Sequence, residues 1–93
     1  MDHEVEIGNG ESANIFKALA SETRWKIMNL IKNGGNLDIS HIAEILKQTE
    51  ANISAQIKKL EAAGLIVSTY EPGDHGVRKI AKPAYEKLVI KLV

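Results

Sequence analysis

A chain of 93 residues with no cysteine, 44% hydrophobic and 26% charged, fits one small globular domain and excludes a disulfide framework, a thiolate nucleophile and a cysteine-based zinc site. No apolar run reaches membrane length, and Met1-Asp2-His3-Glu4 is acidic where a secretory signal would be basic and then apolar, so a cytoplasmic protein with no membrane partner is expected. Net charge is zero but uneven: Asp2, Glu4, Glu6 and Glu11 stand without a base in residues 1–11, leaving 12 basic and 8 acidic residues in residues 12–93.

Residues 1–11 have no helical period and contain Gly8-Asn9-Gly10, so they read as a flexible acidic leader, with Val5-Glu6-Ile7 suited at most to a short edge strand. Ser12 suits the N-cap of a first helix over 13–20, with Ile15, Phe16 and Leu19 on one face. Ser21 caps a second, with Glu22 in its first turn and Trp25, Ile27, Met28, Leu30 and Ile31 as its stripe; Asn33-Gly34-Gly35 ends it. Trp25 reads as core or dimer-proximal packing. Leu37-Asp38-Ile39 alternates briefly as a strand would, and Ser40 caps a third helix carrying Ile42, Ala43, Ile45 and Leu46.

Thr49 caps a fourth helix over 49–63, in which Ile53, Ile57 and Leu60 recur at four and three residues before Gly64 stops it. Two helices joined by a short turn suggest a helix-turn-helix. Strands over 65–70 and 77–82 flank the turn-forming stretch 71–76, giving a hairpin, or wing. Pro83 suits the first turn of a last helix with Tyr85, Leu88, Val89 and Leu92 on one face and Ile90 and Val93 beside them. The expected fold over residues 12–93 is mainly α with a small β-hairpin, a winged helix-turn-helix in the order α-α-β-α-α-β-β-α.

At 100° per residue the fourth helix turns Ile53, Ile57 and Leu60 inward and spreads Gln48, Ala51, Asn52, Ala55, Lys58, Lys59 and Ala62 over the opposite side, with Gln56 on the flank. Asn52 and Gln56 lie one turn apart, and each amide offers the donor and acceptor that adenine's major-groove edge requires. Ala51 and Ala55 permit close approach and contact with thymine methyls, so an A·T-biased site is expected. Thr49, Ser54, Lys58 and Lys59 suit phosphate contacts. In the wing, His75, Arg78 and Lys79 suit the DNA backbone or minor groove, although Glu71 and Asp74 beside them repel phosphate.

The run from Phe16 through Leu19-Ala20-Ser21-Glu22-Thr23-Arg24 to Met28 resembles the opening of the arsenic-repressor-like (ArsR) winged-helix regulators, with their leucine-alanine-x-x-x-arginine pattern. Ile42-Ala43-Glu44-Ile45-Leu46 and the stretch from Ile53 through Ala63-Gly64-Leu65 to Ile66 resemble that family's helix-turn-helix and its entry into the wing. The resemblance spans residues 15–82. It implies a homodimeric, usually repressing regulator whose first and last helices form the dimer contact and whose fourth helix reads double-stranded DNA. Ala55 departs from the pattern, because the family often places arginine there.

Surplus apolar surface on the last helix also favours a homodimer, with Ile15, Phe16, Leu19, Tyr85, Leu88, Val89 and Leu92 at the interface and two recognition helices about 34 Å apart on a palindromic site. Metal-sensing members of the family use residues around the third helix or along the last one; here those places offer only Asp38 and His41, and Glu86, too few for zinc. No metal or cofactor is therefore expected. His3, His41 and His75 are scattered, without a nucleophile or a Gly-rich phosphate loop, so no enzyme is expected. The zero net charge keeps a second reading open, a winged-helix protein–protein interaction module in a larger assembly. The effector, if the protein has one, is not written in the sequence.

Overall fold

The computed structural model describes residues 2–6, 10–33 and 37–92. Its elements in chain order are β1 (Asp2–Glu6), α1 (Gly10–Leu19), α2 (Glu22–Ile31), α3 (Ile39–Leu46), α4 (Glu50–Ala62), β2 (Ile66–Gly73), β3 (Gly76–Pro83) and β4 (Lys87–Lys91). The expected helix terminator Gly34-Gly35, and Ile7, Gly8, Asn9 and Val93, lie outside the described residues.

The four helices pack around an isoleucine-rich core. Ile27 and Ile31 from α2, Ile42 from α3 and Ile53, Ile57 and Leu60 from α4 are buried together, closed on one side by Leu65, Ile66 and Ala81 at the base of the wing. The 3.6-residue spacing of these side chains is what makes them helices in this context, because each short helix gains most of its stability by burying one face. Caps fix the boundaries. The Ser21 hydroxyl accepts from Arg24 N at 3.3 Å and the Thr49 hydroxyl from Asn52 N at 3.0 Å.

Two expected caps move. Ser12 lies inside α1, which starts earlier, and α3 is capped by Asp38, not Ser40: Asp38 Oδ1 accepts from His41 N at 2.9 Å. A carboxylate at an N-cap meets the partial positive charge of the helix start, which a hydroxyl two residues further on cannot reach. The brief strand expected at 37–39 is reduced to an isolated bridge between Asp38 and Ile80. Ser40 bonds to the Glu50 carboxylate instead, tying the start of α3 to the start of α4.

The turn between α3 and α4 begins with a left-handed residue. Lys47 has φ +56° and ψ +45°, with its N–H on Glu44 O and the Gln48 N–H on Ala43 O. Gly64, φ +77°, closes α4 by the same pair of bonds, from Gly64 N to Glu61 O and from Leu65 N to Leu60 O. The wing is longer and tighter than expected. Ile66 through Gly73 pair antiparallel with Pro83 through Gly76, leaving Asp74-His75 as a two-residue turn.

The last helix is replaced by β4, which pairs parallel with β1, Asp2 opposite Lys87 and Glu6 opposite Lys91. The acidic leader, expected to be flexible, thus contributes a strand over residues 2–6, and the element order departs from α-α-β-α-α-β-β-α at both ends. The apolar spacing in 85–92 fits a helix. The adjacent β-branched Val89-Ile90 favours an extended chain, however, and a stretch of about ten residues is too short to hold a helix without a packed face.

Candidate nucleic-acid interface

α4 stands with Ile53, Ile57 and Leu60 fully buried and its other side open. Gln48, Thr49, Ala51, Ala55, Lys58 and Lys59 are exposed, and Asn52 and Gln56 are half-buried on one flank of that surface and Ser54 on the other. The face expected to meet DNA is therefore brought together on one helix side. Its polar members are ordered by one another. Asn52 Nδ2 donates to Gln48 Oε1 at 2.9 Å and Gln56 Nε2 donates to Asn52 Oδ1 at 3.2 Å, a row of three amides one helical turn apart. The row ends on Arg24 of α2, whose Nη1 donates to Gln56 Oε1 at 2.7 Å. Arg24 was not among the expected site residues. Its signal lay in the family-like pattern at the start of α2, but 32 residues separate it from Gln56.

The wing behaves differently. Arg78 Nε donates to Asp38 Oδ2 at 2.8 Å and Lys79 Nζ to Glu61 Oε1 at 2.9 Å, so two of the three wing residues expected at the DNA backbone or minor groove are paired with carboxylates of the body. His75 is exposed at the turn. Burial alone would raise the Asp38 carboxyl, but the Arg78 guanidinium and the backbone and ring of His41 hold it down to about 2. Glu61 follows the same logic, raised by burial and brought below its ordinary value by Lys79 and Ser68. Asp38 is thus a hub that caps α3, accepts from His41 Nδ1 at 2.7 Å and holds β3.

The residues expected at a dimer contact are dispersed. Ile15 is 3% exposed and belongs to the chain's own core, while Phe16 faces out and Leu19 is half-buried. With β4 in place of a helix, Leu88 and Val89 are adjacent in a strand and point to opposite faces, Tyr85 precedes it, and Leu92 lies exposed beyond it. The helical face that grouped these four does not exist. Trp25 is 52% exposed, not core, and with Leu19, Met28, Tyr85, Leu88 and Ile90 it lines an apolar groove of about 320 Å³.

Among the described residues no group of three or more His, Cys, Asp or Glu side chains could hold a metal ion, and no helix is long and apolar enough to cross a membrane.

Residues 21–68, from the cap of α2 into β2, match the family described as bacterial regulatory protein, arsR family. An uncharacterized HTH-type transcriptional regulator of Methanocaldococcus jannaschii, MJ1325, is 31% identical over 61 residues, covering 66% of this chain and 68% of its own. Among solved structures, the homodimeric winged helix-turn-helix DNA-binding domain (fragment 1–100) of Mb0332 from Mycobacterium bovis, named a possible ArsR-family transcriptional regulator, superposes with a TM-score of 0.71. It is 26% identical, covering 82% of this chain, which spans 66% of that fragment. The cadmium metal-sensor CMTR of Mycobacterium tuberculosis gives a TM-score of 0.61 at 32% identity, covering 77% of this chain and 70% of its own. A winged helix-turn-helix geometry with α4 presented on an open face and a family match running from α2 into the wing place this chain in the ArsR family of transcriptional regulators.

Proposed function

We propose that this protein is a sequence-specific, double-stranded DNA-binding repressor that acts as a homodimer on a palindromic, A·T-biased site. The observation that carries the reading is the open side of α4, where three amides in a row and two alanines offer hydrogen-bonding and methyl contacts at the depth of a major groove. Lys58 and Lys59, exposed beyond the amides, supply phosphate contacts, and Thr49 and Ser54 flank them. Repression follows from occluding a promoter, and the protein works in the cytoplasm with its DNA. It needs no cofactor and carries out no reaction.

The dimer is supported by the homodimeric Mycobacterium bovis domain and by the apolar groove at Trp25, Tyr85 and Ile90, which water covers poorly. A twofold contact there sets two copies of α4 about one DNA turn, roughly 34 Å, apart. Sedimentation of wild type against Trp25→Glu reads this out: the wild type sediments as a dimer and the variant as a monomer, and a monomeric wild type rejects the pairing.

Selection of bound duplexes from a randomised pool tests the function. Enrichment of an inverted repeat is expected, and Asn52→Ala with Gln56→Ala should weaken binding to the enriched site more than to random DNA. A protein that binds no duplex even at low salt would instead favour an interaction module.

A further inference from the structure

The guanidinium of Arg24 touches two elements at once. Its Nε donates to Ala18 O at 2.6 Å and its Nη2 to Lys17 O at 3.3 Å, carbonyls of the last turn of α1 that lack helical partners of their own, and its Nη1 donates to Gln56. A guanidinium carries only donors. The oxygen of Gln56 must therefore face it, which turns the Gln56 NH2 to Asn52 and the Asn52 NH2 to Gln48. One cation at the end of the row fixes the direction of every amide in it.

We propose that Arg24 is a positioning residue that sets DNA sequence preference: by fixing the amide direction it decides which strand of the duplex must carry adenine. The inference rests on the reading that α4 enters the major groove. Asn52 spends one N–H and one oxygen lone pair on the row and keeps one of each, the pair that adenine N7 and the adenine 6-amino group require. An amide that can flip by 180° presents that donor and acceptor in either order and accepts A·T and T·A alike. A held amide presents one order. The Gln56 NH2 offers only donors to Asn52, so Asn52 must turn its oxygen toward it, and the constraint imposed at Gln56 is transmitted to Asn52. Arg24 itself stays on α2 and α1 and acts only through Gln56.

The test uses the duplex enriched by wild-type protein. The base pair read by Asn52 is the one at which preference disappears in Asn52→Ala; if Asn52→Ala changes no preference, the groove reading fails, and the inference with it. At that pair, wild type should bind the selected orientation about tenfold better than the inverted pair. In Arg24→Met the ratio should fall below about twofold while the salt dependence of binding stays as in wild type, since no phosphate contact is lost. Gln56→Met serves where Arg24→Met fails to fold, because it leaves Arg24 anchored on α1 and still cuts the row; the preference read by Asn52 should be lost although Asn52 is intact. A residue that merely supports the fold would lower affinity for all duplexes equally. Retention of the full orientation preference in either folded variant overturns the proposal.

Discussion

The recognition helix and the wing carry the same kinds of side chain, polar groups and cations suited to DNA, and the fold treats them differently. The amides Gln48, Asn52 and Gln56 bond to one another along α4; on β3 the cations reach back to Asp38 and Glu61. A helix seated by three fully buried apolar residues has its outward face determined by period alone. In the wing Ile66, Ile80 and Ala81 are buried, while Arg78 and Lys79 next to them pair with the carboxylates within reach. The wing is thereby fixed to the helix-turn-helix, and on α4 Lys58 and Lys59 remain exposed.

The seat of α4 is the first place to break this contrast. Ile57→Ala should cost about 3 kcal/mol, because it leaves a cavity in a fully enclosed site, and urea denaturation would read it. The anchor of the wing comes next. Asp38→Ala removes the cap of α3 and the carboxylate that holds β3, a loss of about 2 kcal/mol by the same assay. The pH dependence gives its sign. The folded Asp38 carboxyl is held down to about 2, below the ordinary 3.8, so its contribution is fully present above the unfolded value and is lost as the pH falls through the folded one. Wild type and Asp38→Asn should differ by a constant amount at neutral pH and converge toward pH 2.

Charge on the two regions separates them further. Lys58→Ala and Lys59→Ala should each reduce the salt slope of DNA binding by about 1, whereas Lys79→Ala, whose ammonium is held by Glu61, should leave the slope near wild type. The smallest effect lies in the turn that aims α4. Lys47 sits at φ +56°, where a side chain is disfavoured, so Lys47→Gly should raise stability by about 0.5 kcal/mol, visible as a small increase in the urea midpoint.

What could be read from the sequence followed the range of the interactions. The four helices, the caps Ser21 and Thr49, the stop at Gly64 and the inward set Ile53, Ile57 and Leu60 are local patterns, and the structure has them where the patterns point. The pairing of Arg78 with Asp38 spans 40 residues, and no local pattern carries that, whereas the Asp38 cap is a contact of three residues that competed with Ser40 in the same stretch. Residues 85–92 went the other way: Tyr85, Leu88, Val89 and Leu92 have helical spacing, yet Lys87–Lys91 form a strand because their partner, β1, comes from the opposite end of the chain. Of the candidate site, the amide face was legible as a surface, while its ordering by Arg24 was not, since a hydrogen bond between α2 and α4 has no periodicity to betray it.

The division of labour between α4 and the wing is tested most directly by titrating 15N-labelled protein with the duplex selected from a randomised pool and following side-chain resonances. The side-chain NH2 signals of Gln48, Asn52 and Gln56 should shift at stoichiometric DNA, with the Lys79 ammonium and Arg78 Nε–H little changed. Shifts confined to the wing, with the three amides unmoved, would contradict the account.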